Sequence, residues 1–246
     1  MGDHTLSGLG EQQLNLTRRE YDVRITNLLR FIYKKMINKE GSLIDIGAGN
    51  GLALQFFKNR GFRVKGVELS KKLCEEMKKN PLLKGIKIQH GNIIETTGKD
   101  TFDYVLACDV IEHIKDDALA VRNLYSFVRK GGLLIISVPA HSFLFGKRDI
   151  EWGHYRRYDK EKLLSLISPL KRKYIESVTY WNLFGFFVYF LYEKILKKPV
   201  QDDFRYKKTI GSVLKQKIVD MLLRGEEFLG CMPWGLSLIV GIRKKE

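Results

Sequence analysis

Cysteine is scarce in this chain, which has only three in 246 residues: Cys74, Cys108 and Cys231. They are too few and too scattered for a disulfide framework or a zinc knuckle, and the sequence predicts no metal site. Sparse cysteine is typical of a reducing compartment, so we expect a cytoplasmic protein.

Long apolar segments are also missing. Residues 1–13 have no apolar core, so the sequence predicts no signal peptide. The stretch 180–192 is apolar except for Asn182 and Gly185. A helix needs roughly twenty apolar residues to span a bilayer, and this stretch is too short.

Acidic residues are in the minority: 28 Asp and Glu stand against 43 Lys and Arg, for a formal net charge of +15. Such a charge suits nucleic acid, an acidic membrane or a phosphorylated substrate. Because the lysines are spread along the chain, a solvated basic surface explains the charge equally well. The 44% apolar content is that of a globular protein, and we treat residues 1–246 as a single domain.

Strand-like and helix-like segments alternate between residues 43 and 138. A helix assigned to 12–40 precedes them, because apolar residues recur there at three- and four-residue spacing. The alternation indicates a parallel sheet covered on both faces, which binds ligands beyond the carboxyl ends of its strands. The predicted strands are 43–46, 62–69, 86–90, 102–108 and 133–138, and the helices between them are 52–59, 70–79 and 116–128.

Glycines follow the first predicted strand directly, in the sequence Asp45-Ile46-Gly47-Ala48-Gly49-Asn50-Gly51. Without Cβ atoms the backbone can turn tightly and approach a ligand closely. The Gly-x-Gly-x-Gly spacing differs from the Gly-x-Gly-x-x-Gly of dinucleotide enzymes, and no P-loop lysine follows it. The turn therefore predicts a ligand other than a dinucleotide or a nucleoside triphosphate.

Glu68 ends the second predicted strand, 21 positions after Gly47. An acidic side chain at that place can accept hydrogen bonds from both hydroxyls of a ribose. A surface glutamate is the alternative and would be preferred if the residue stood alone. Combined with the glycine turn, Glu68 indicates a nucleoside-containing ligand.

The fourth-strand region reads Phe102-Asp103-Tyr104-Val105-Leu106-Ala107-Cys108-Asp109-Val110-Ile111-Glu112-His113. With it, residues 43–138 resemble the class I S-adenosylmethionine-dependent methyltransferases, in particular the group with a DVxEH-type fourth-strand motif. The resemblance implies a Rossmann-like α/β fold. Its doubly wound, mostly parallel seven-stranded sheet would have an antiparallel last strand, preceded by a helical insertion. It also implies S-adenosylmethionine as cofactor and S-adenosylhomocysteine as product.

The same resemblance assigns the cofactor site. The family usually has an aspartate where this chain has Asn92, whose amide oxygen can accept the same hydrogen bond from adenine. The assigned residues are Asp45, Gly47, Gly49 and Gly51 toward the methionine part, Glu68 and Leu69 toward the ribose, and Asn92, Ile93, Cys108 and Asp109 around the adenine.

Glu112 and His113 invite a catalytic interpretation, because histidine is the commonest general base. In the family this pair lies just past the fourth strand and shapes the pocket wall. We prefer that second interpretation.

Residues 140–158 are expected to form a substrate loop at the rim of the site, since they hold two histidines, four basic residues and five aromatic residues. Histidine can remove a proton from an acceptor, and arginine can fork onto a carboxylate or phosphate. The candidate bases are His154 and His141, and the candidate substrate-binding residues are Trp152, Arg156, Arg157 and Tyr158.

A structural loop is the alternative for this segment, with the arginines paired to Asp149, Glu151 or Asp159. Polar groups that converge on the ligand edge of a sheet usually serve function, so we favour substrate contact.

Residues 180–233 are expected to form a helical insertion between a sixth strand at 174–180 and a last strand at 236–242. Its first part, 180–198, is apolar and aromatic and ends in lysines. A buried helix is the first interpretation, and a helix in peripheral contact with a membrane is the second. A homodimer interface would fit equally well.

Together these features predict an enzyme that methylates a small-molecule acceptor, either hydrophobic or linked to a lipid or glycan. An RNA or protein methyltransferase is the alternative that the charge suggests. The Asn/Asp-Pro-Pro-Tyr/Phe motif of base-amine methyltransferases is absent, however, so nucleic acid is not the expected partner. A cofactor-binding protein without catalysis is a third alternative.

Overall fold

A computed structural model describes residues 22–99, 101–198, 200, 210–226 and 232–245. Seven strands form its central sheet: β1 (Ser42–Ile46), β2 (Arg63–Glu68), β3 (Lys87–His90), β4 (Phe102–Cys108), β5 (Val128–Pro139), β6 (Lys173–Trp181) and β7 (Ser237–Lys244). Their order in the sheet is β3-β2-β1-β4-β5-β7-β6.

The first five strands pair in parallel, whereas β7 runs antiparallel to both β5 and β6. The strand order reverses between β1 and β4, which places a crevice at their carboxyl ends. The predicted fold class, with its antiparallel last strand, is confirmed.

Helices cover both faces of the sheet, so the central strands are apolar on both sides. Along β1, for example, Leu43 and Ile44 are fully buried in different core clusters. The helices are α1 (Val23–Lys35), α2 (Leu52–Lys58), α3 (Lys71–Lys79), α4 (Asp117–Ser126), α5 (Lys147–Glu151), α6 (Lys160–Ile167), α7 (Leu183–Tyr189) and α8 (Ile210–Glu226), with a π-helical turn at Phe190–Ile195 and 3-10 turns at Pro81–Leu83, Ile111–His113 and Ser142–Leu144.

Strand β5 begins at Val128, earlier than the predicted start at Leu133. Val128 pairs with Phe102, and the register then shifts before Tyr104 pairs with Leu133. Glycine permits this irregularity, because a Cβ atom on Gly132 would lie 2.9 Å from the Phe102 carbonyl oxygen. The preceding helix is correspondingly shorter than the predicted 116–128.

The N-terminal helix ends at Lys35, before the predicted end at residue 40. Helix α1 begins after Asp22, whose carboxylate accepts a hydrogen bond from the Arg24 backbone N–H at 2.9 Å. Residues 12–21 lie outside the described residues.

Segment 140–158 is not the continuous loop that we expected, because it contains a 3-10 turn and α5. The backbone N–H of Gly146 donates to the Asp149 carboxylate at 3.0 Å, which starts α5. Asp159 stands at the N-cap of α6, but its side chain makes no capping hydrogen bond to the helix. Its carboxylate instead accepts a hydrogen bond from the Ser142 N–H at 3.0 Å.

The 180–233 segment supplies the last two residues of β6, helix α7, the π-helical turn and α8. Helix α8 packs on α1, where the Asn27 side chain donates to Asp220 at 2.8 Å. Residues 199, 201–209 and 227–231 lie outside the described residues. The division of the chain into these segments stays a prediction.

Candidate active site

A cavity of about 410 Å³ opens at the carboxyl ends of β1 and β4. It begins at the glycine turn after β1 and extends past the segment 148–157 to side chains of α1, α7 and α8. Its position is that of the ligand crevice of an open α/β sheet.

The glycine turn leaves room for a ligand at one position and excludes a side chain at another. The N–H of Gly47 donates to the Val67 carbonyl at 2.8 Å, which holds the turn against β2. Gly47 has φ +77°, and a Cβ atom there would lie 2.5 Å from a methyl group of Val110. A Cβ atom on Gly49, in contrast, would meet no heavy atom closer than 4.0 Å. The backbone of Gly49 therefore borders open space in the cavity.

Two buried carboxyl groups lie beside the turn. Burial, and then the charge of Glu68, raise the pKa of Asp45 to about 7. One Glu68 carboxylate oxygen accepts the Gly49 N–H and the other accepts the Ser70 N–H, both at 2.8 Å. Burial raises the pKa of Glu68 as well, although these two N–H groups oppose the change.

Asp109 lies in the cavity wall just after β4, in the left-handed region with φ 55°. Arg24 of α1 donates to its carboxylate at 2.8 Å. Burial alone would raise the pKa of Asp109, but the Arg24 charge lowers it below its ordinary value. Cys108 also lines the cavity, and burial raises the pKa of its thiol well above the ordinary range.

Glu112 and His113 follow in a 3-10 turn and line the cavity. This position agrees with the interpretation of the pair as part of the pocket wall. Glu112 is fully buried, and burial raises the pKa of its carboxyl well above the ordinary value. Burial, and then the nearby His154, lower the pKa of His113 to about 4. The rings of His113 and His154 lie 4.6 Å apart, measured between their centroids.

A buried network holds His154 beside His113 in the cavity wall. Asp149 of α5 is 1% exposed, and its carboxylate accepts a hydrogen bond from His154 Nδ1 at 2.8 Å. The same carboxylate accepts Arg157 Nε at 2.9 Å and the Tyr189 hydroxyl at 3.2 Å. Burial would raise the pKa of Asp149, but His154 and Arg157 hold it at about 2.

These residues fit S-adenosylmethionine. Asp45 lines the cavity beside the glycine turn, and its ionised carboxylate would face the ligand's positive sulfonium or ammonium group. Each Glu68 oxygen accepts one backbone N–H and keeps a further lone pair for a ribose hydroxyl. The open space over Gly49 admits the part of the ligand that joins its ribose to its methionine end.

Comparison with known families decides the family. A family model described as a methyltransferase domain matches residues 17–178. The chain belongs to that methyltransferase family. The prediction of an S-adenosylmethionine-dependent methyltransferase is thereby confirmed at the level of the family.

Curated relatives of this methyltransferase are distant and align over part of their length. A ubiquinone biosynthesis O-methyltransferase from Aeromonas salmonicida is 27% identical over 99 residues, which cover 39% of this chain and 42% of the relative. The enzyme of the same description from Coxiella burnetii is 26% identical over 118 residues, covering 47% and 50%. The alignments thus span half or less of these relatives.

Solved structures share the methyltransferase fold at low identity. An S-adenosylmethionine-dependent methyltransferase from Mesorhizobium loti has a TM-score of 0.55 at 15% identity, covering 87% of this chain and 96% of that one. These values establish a common fold and no more.

The predicted cofactor residues of this methyltransferase divide into two groups in the structure. The cavity brings together Asp45, Gly47, Gly49, Cys108 and Asp109. The others lie off its lining. Glu68 accepts the Gly49 and Ser70 N–H groups behind the turn. Gly51 caps α2 against Leu83, Leu69 is exposed, Ile93 packs in the core, and the Asn92 amide oxygen accepts the Ile94 N–H at 3.0 Å. Which of them contact the cofactor stays a prediction.

The predicted substrate residues also separate. Trp152, His154 and Arg157 line the cavity, and Arg157 pairs with Asp149, one of the partners foreseen for a structural loop. Arg156 and Tyr158 do not line it. Arg156 forms an ion pair with Asp117 at 2.6 Å, and the fully buried Tyr158 hydroxyl donates to Asp117 at 2.9 Å.

His141 lies outside the cavity lining, in an aromatic cluster. Its ring stacks on Tyr180 and on Trp234, with centroids 5.0 Å away in each case. Burial lowers the pKa of His141 below its ordinary value. The structure therefore gives His141 surroundings that do not suit a base acting in the cavity.

Arg24 is one of the cavity residues that the sequence did not indicate. It meets Asp109 across 85 positions of chain, and no local motif marks it. Asp149 was predicted only as a partner for arginine, although His154, which it also contacts, lies only five positions further along the chain.

Proposed function

We propose that this chain transfers a methyl group from S-adenosylmethionine to a small-molecule acceptor that is hydrophobic or linked to a lipid or glycan. The observation that carries the proposal is the continuity of the cavity. Its polar end contains the glycine turn and Asp109, and its other end is walled by apolar side chains of α7 and α8, among them Val188 and Leu222.

S-adenosylmethionine supplies a methyl group on a positively charged sulfur. The protein contributes mainly by holding the acceptor in line with that carbon, which accounts for much of the acceleration in such displacements. Trp152 and Phe184 border the cavity and give it aromatic walls. An acceptor hydroxyl must also lose its proton.

His154 is the candidate base for that proton. Its Nδ1 is bonded to Asp149, so Nε2 is the nitrogen that can accept. Asp149 fixes the tautomer and orientation of the ring, as a buried carboxylate does for a catalytic imidazole. The relatives from Aeromonas and Coxiella are named O-methyltransferases, which agrees with an oxygen acceptor.

The apolar acceptor also motivates peripheral membrane contact through 180–198. None of the described helices has the length and apolarity to traverse a membrane. Phe187 is 59% exposed and Ile195 is also 59% exposed, with Leu191 between them and the exposed Lys197 and Lys198 just after them. Exposed aromatic and aliphatic side chains next to lysine favour an anionic lipid surface. A homodimer would cover the same side chains.

The methyl-transfer proposal is tested by calorimetry with S-adenosylmethionine and by assay of acceptors that differ in tail length. We expect binding, and a KM that falls as the apolar tail lengthens. His154→Gln should lower kcat on hydroxyl acceptors by about 10²-fold or more with binding of the cofactor unchanged. Binding without turnover on any acceptor would favour a non-catalytic cofactor-binding protein, and failure to bind would refute the proposal.

The membrane proposal is tested by sedimentation with anionic liposomes. Phe187→Ser combined with Leu191→Ser should weaken salt-sensitive binding, whereas the control Leu82→Ser, on a side chain 45% exposed elsewhere, should not. A dimer that the double substitution dissociates, without liposome binding, would assign the surface to a homodimer. Tight binding to RNA alone would favour the nucleic-acid alternative.

A further inference from the structure

Three possible metal ligands meet at the cavity wall in the 3-10 turn after β4 and the segment after α5. One ligand atom from each of Glu112, His113 and His154 lies within 4.8 Å of the other two. All three residues line the cavity. Ions bound by imidazole and carboxylate lie about 2.0–2.2 Å from their ligands, so small side-chain movements would close this cluster around one ion.

The ligand atoms of two of these residues lack other partners. Both carboxylate oxygens of Glu112 and Nδ1 of His113 are buried without a hydrogen bond among the described residues. Glu112 is 0% exposed, so solvent does not satisfy it either. Buried polar groups in folded proteins are almost always paired, and each exception requires an explanation. A bound cation would supply the missing partner for both.

His154 is held as metal-binding histidines are held. Its Nδ1 is bonded to the carboxylate of Asp149 at 2.8 Å, which leaves Nε2 as the remaining ligand atom. Asp149 is itself fixed by Arg157. A carboxylate behind a ligating histidine fixes the tautomer and the ring orientation of that ligand.

We propose that Glu112, His113 and His154 bind a divalent first-row transition-metal ion. Two imidazoles and one carboxylate favour zinc, iron(II) or nickel over magnesium and calcium, which prefer oxygen ligands. Three protein ligands on one wall leave further coordination positions toward the cavity. An acceptor oxygen can bind the ion at one of these positions; this role of the ion rests on the proposed function. With the ion present, His154 is a ligand and the acceptor's proton leaves to another group or to water. The sequence predicts no metal site, because its three cysteines are too few and too scattered for a zinc knuckle.

The direct test is binding of Zn²⁺, measured by calorimetry on the chelator-treated full chain without cofactor or acceptor. Co²⁺ serves as a spectroscopic probe, since its visible absorption reports the ligands. We expect one ion per chain and weaker binding of Mg²⁺. Glu112→Gln and His113→Gln should each lower Zn²⁺ affinity at least about tenfold, the effect known even for residues behind the ligands.

His90→Gln is the matched control, because His90 is an exposed histidine at the end of β3, remote from the cluster in the sheet. It should leave Zn²⁺ affinity unchanged. Binding of S-adenosylhomocysteine by each variant checks that it is folded. Failure of the wild-type chain to bind Zn²⁺ or Co²⁺, or equal binding by the Glu112 and His113 variants, would overturn the inference.

The outcomes also separate this inference from the proposed function. Metal binding without methyl transfer to any acceptor would sustain the site and refute the function. Methyl transfer at full rate by a chain that binds no metal would sustain the function and refute the site.

Discussion

Arg157→Met tests whether the buried network around Asp149 holds the active-site wall together. The two side chains are 5% and 1% exposed, and Arg157 Nε lies 2.9 Å from both carboxylate oxygens. Methionine keeps the length of the side chain and removes the charge. Breaking a buried ion pair on one side costs about 3–5 kcal/mol, because the other charge stays buried without its partner.

For a chain of this size, that loss lowers Tm by roughly 6–20 °C, at about 2–4 °C per kcal/mol. Differential scanning calorimetry or thermal circular dichroism measures it. Arg224→Met is the control, because Arg224 is 52% exposed in its pair with Asp220. Exposed pairs contribute about 0.2–1 kcal/mol, so the control should change Tm by no more than about 4 °C.

The same network predicts an acid dependence. The pKa of Asp149 falls from its ordinary 3.8 to about 2 on folding, so its ionised form stabilises the native state. A depressed folded-state pKa gives stability that is present above about pH 4 and lost as the pH falls toward 2. The loss amounts to about 2 kcal/mol for this group. The double variant Arg157→Met, Asp149→Leu should lack that component.

One result would refute this reasoning. If Arg157→Met lowers Tm no more than Arg224→Met does while raising KM for the acceptor, Arg157 is a substrate ligand, as the sequence first indicated, and the network does not support the wall.

Three further predictions concern the glycine turn, Asp45 and the segment beside the cavity. The affinity of the wild-type chain for S-adenosylmethionine should rise between pH 6 and pH 8, because ionisation of Asp45, with its pKa of about 7, favours a cationic ligand. Asp45→Asn should abolish that rise, and equal wild-type affinities at the two pH values would contradict the prediction. Gly47→Ala should weaken S-adenosylhomocysteine binding at least about tenfold by calorimetry, or about 1.4 kcal/mol, because its Cβ would press on Val110. Gly61→Ala, also at positive φ but with no heavy atom within 4 Å of the Cβ, should leave affinity unchanged; equal losses would show that strain alone is responsible. Tyr158→Phe should lower stability by about 1.5–3 kcal/mol in urea unfolding, since a hydrogen bond to a charged group is lost; an altered KM at constant stability would instead place Tyr158 in the substrate site.

The part of the site that depends on residues adjacent in the sequence could be predicted from the sequence alone. The turn from Asp45 to Gly51 could be recognised, because glycine is strongly favoured where φ is positive, as it is at Gly47. The strands could be recognised because a sheet covered on both faces demands apolar runs. The early start of β5 could not, since it depends on pairing of Val128 with Phe102 across the sheet.

The part of the cavity wall built from residues 148–157 depends on contacts between distant residues, which no local pattern encodes. Arg156 and Arg157 are adjacent in sequence, yet one pairs with Asp117 of α4 and the other with Asp149 of α5. Only the packing of these helices decides between the two directions. A motif rich in arginine therefore predicted substrate contact equally for both residues, and the structure places just one of them at the cavity.

The position of β7 has a consequence for the order in which the chain folds. Strand β6 has β7 as its neighbour in the sheet, and β7 fills the place between β5 and β6. As the chain leaves the ribosome, residues 173–181 emerge well before residues 237–244. Until β7 emerges, β5 presents an open edge and β6 has no place in the sheet, and unpaired edges of this kind promote aggregation. The cavity wall built on α7 and α8 can thus be completed only after residues 237–244 have emerged, and a ribosome stalled before residue 237 would expose an incomplete sheet with an unpaired edge.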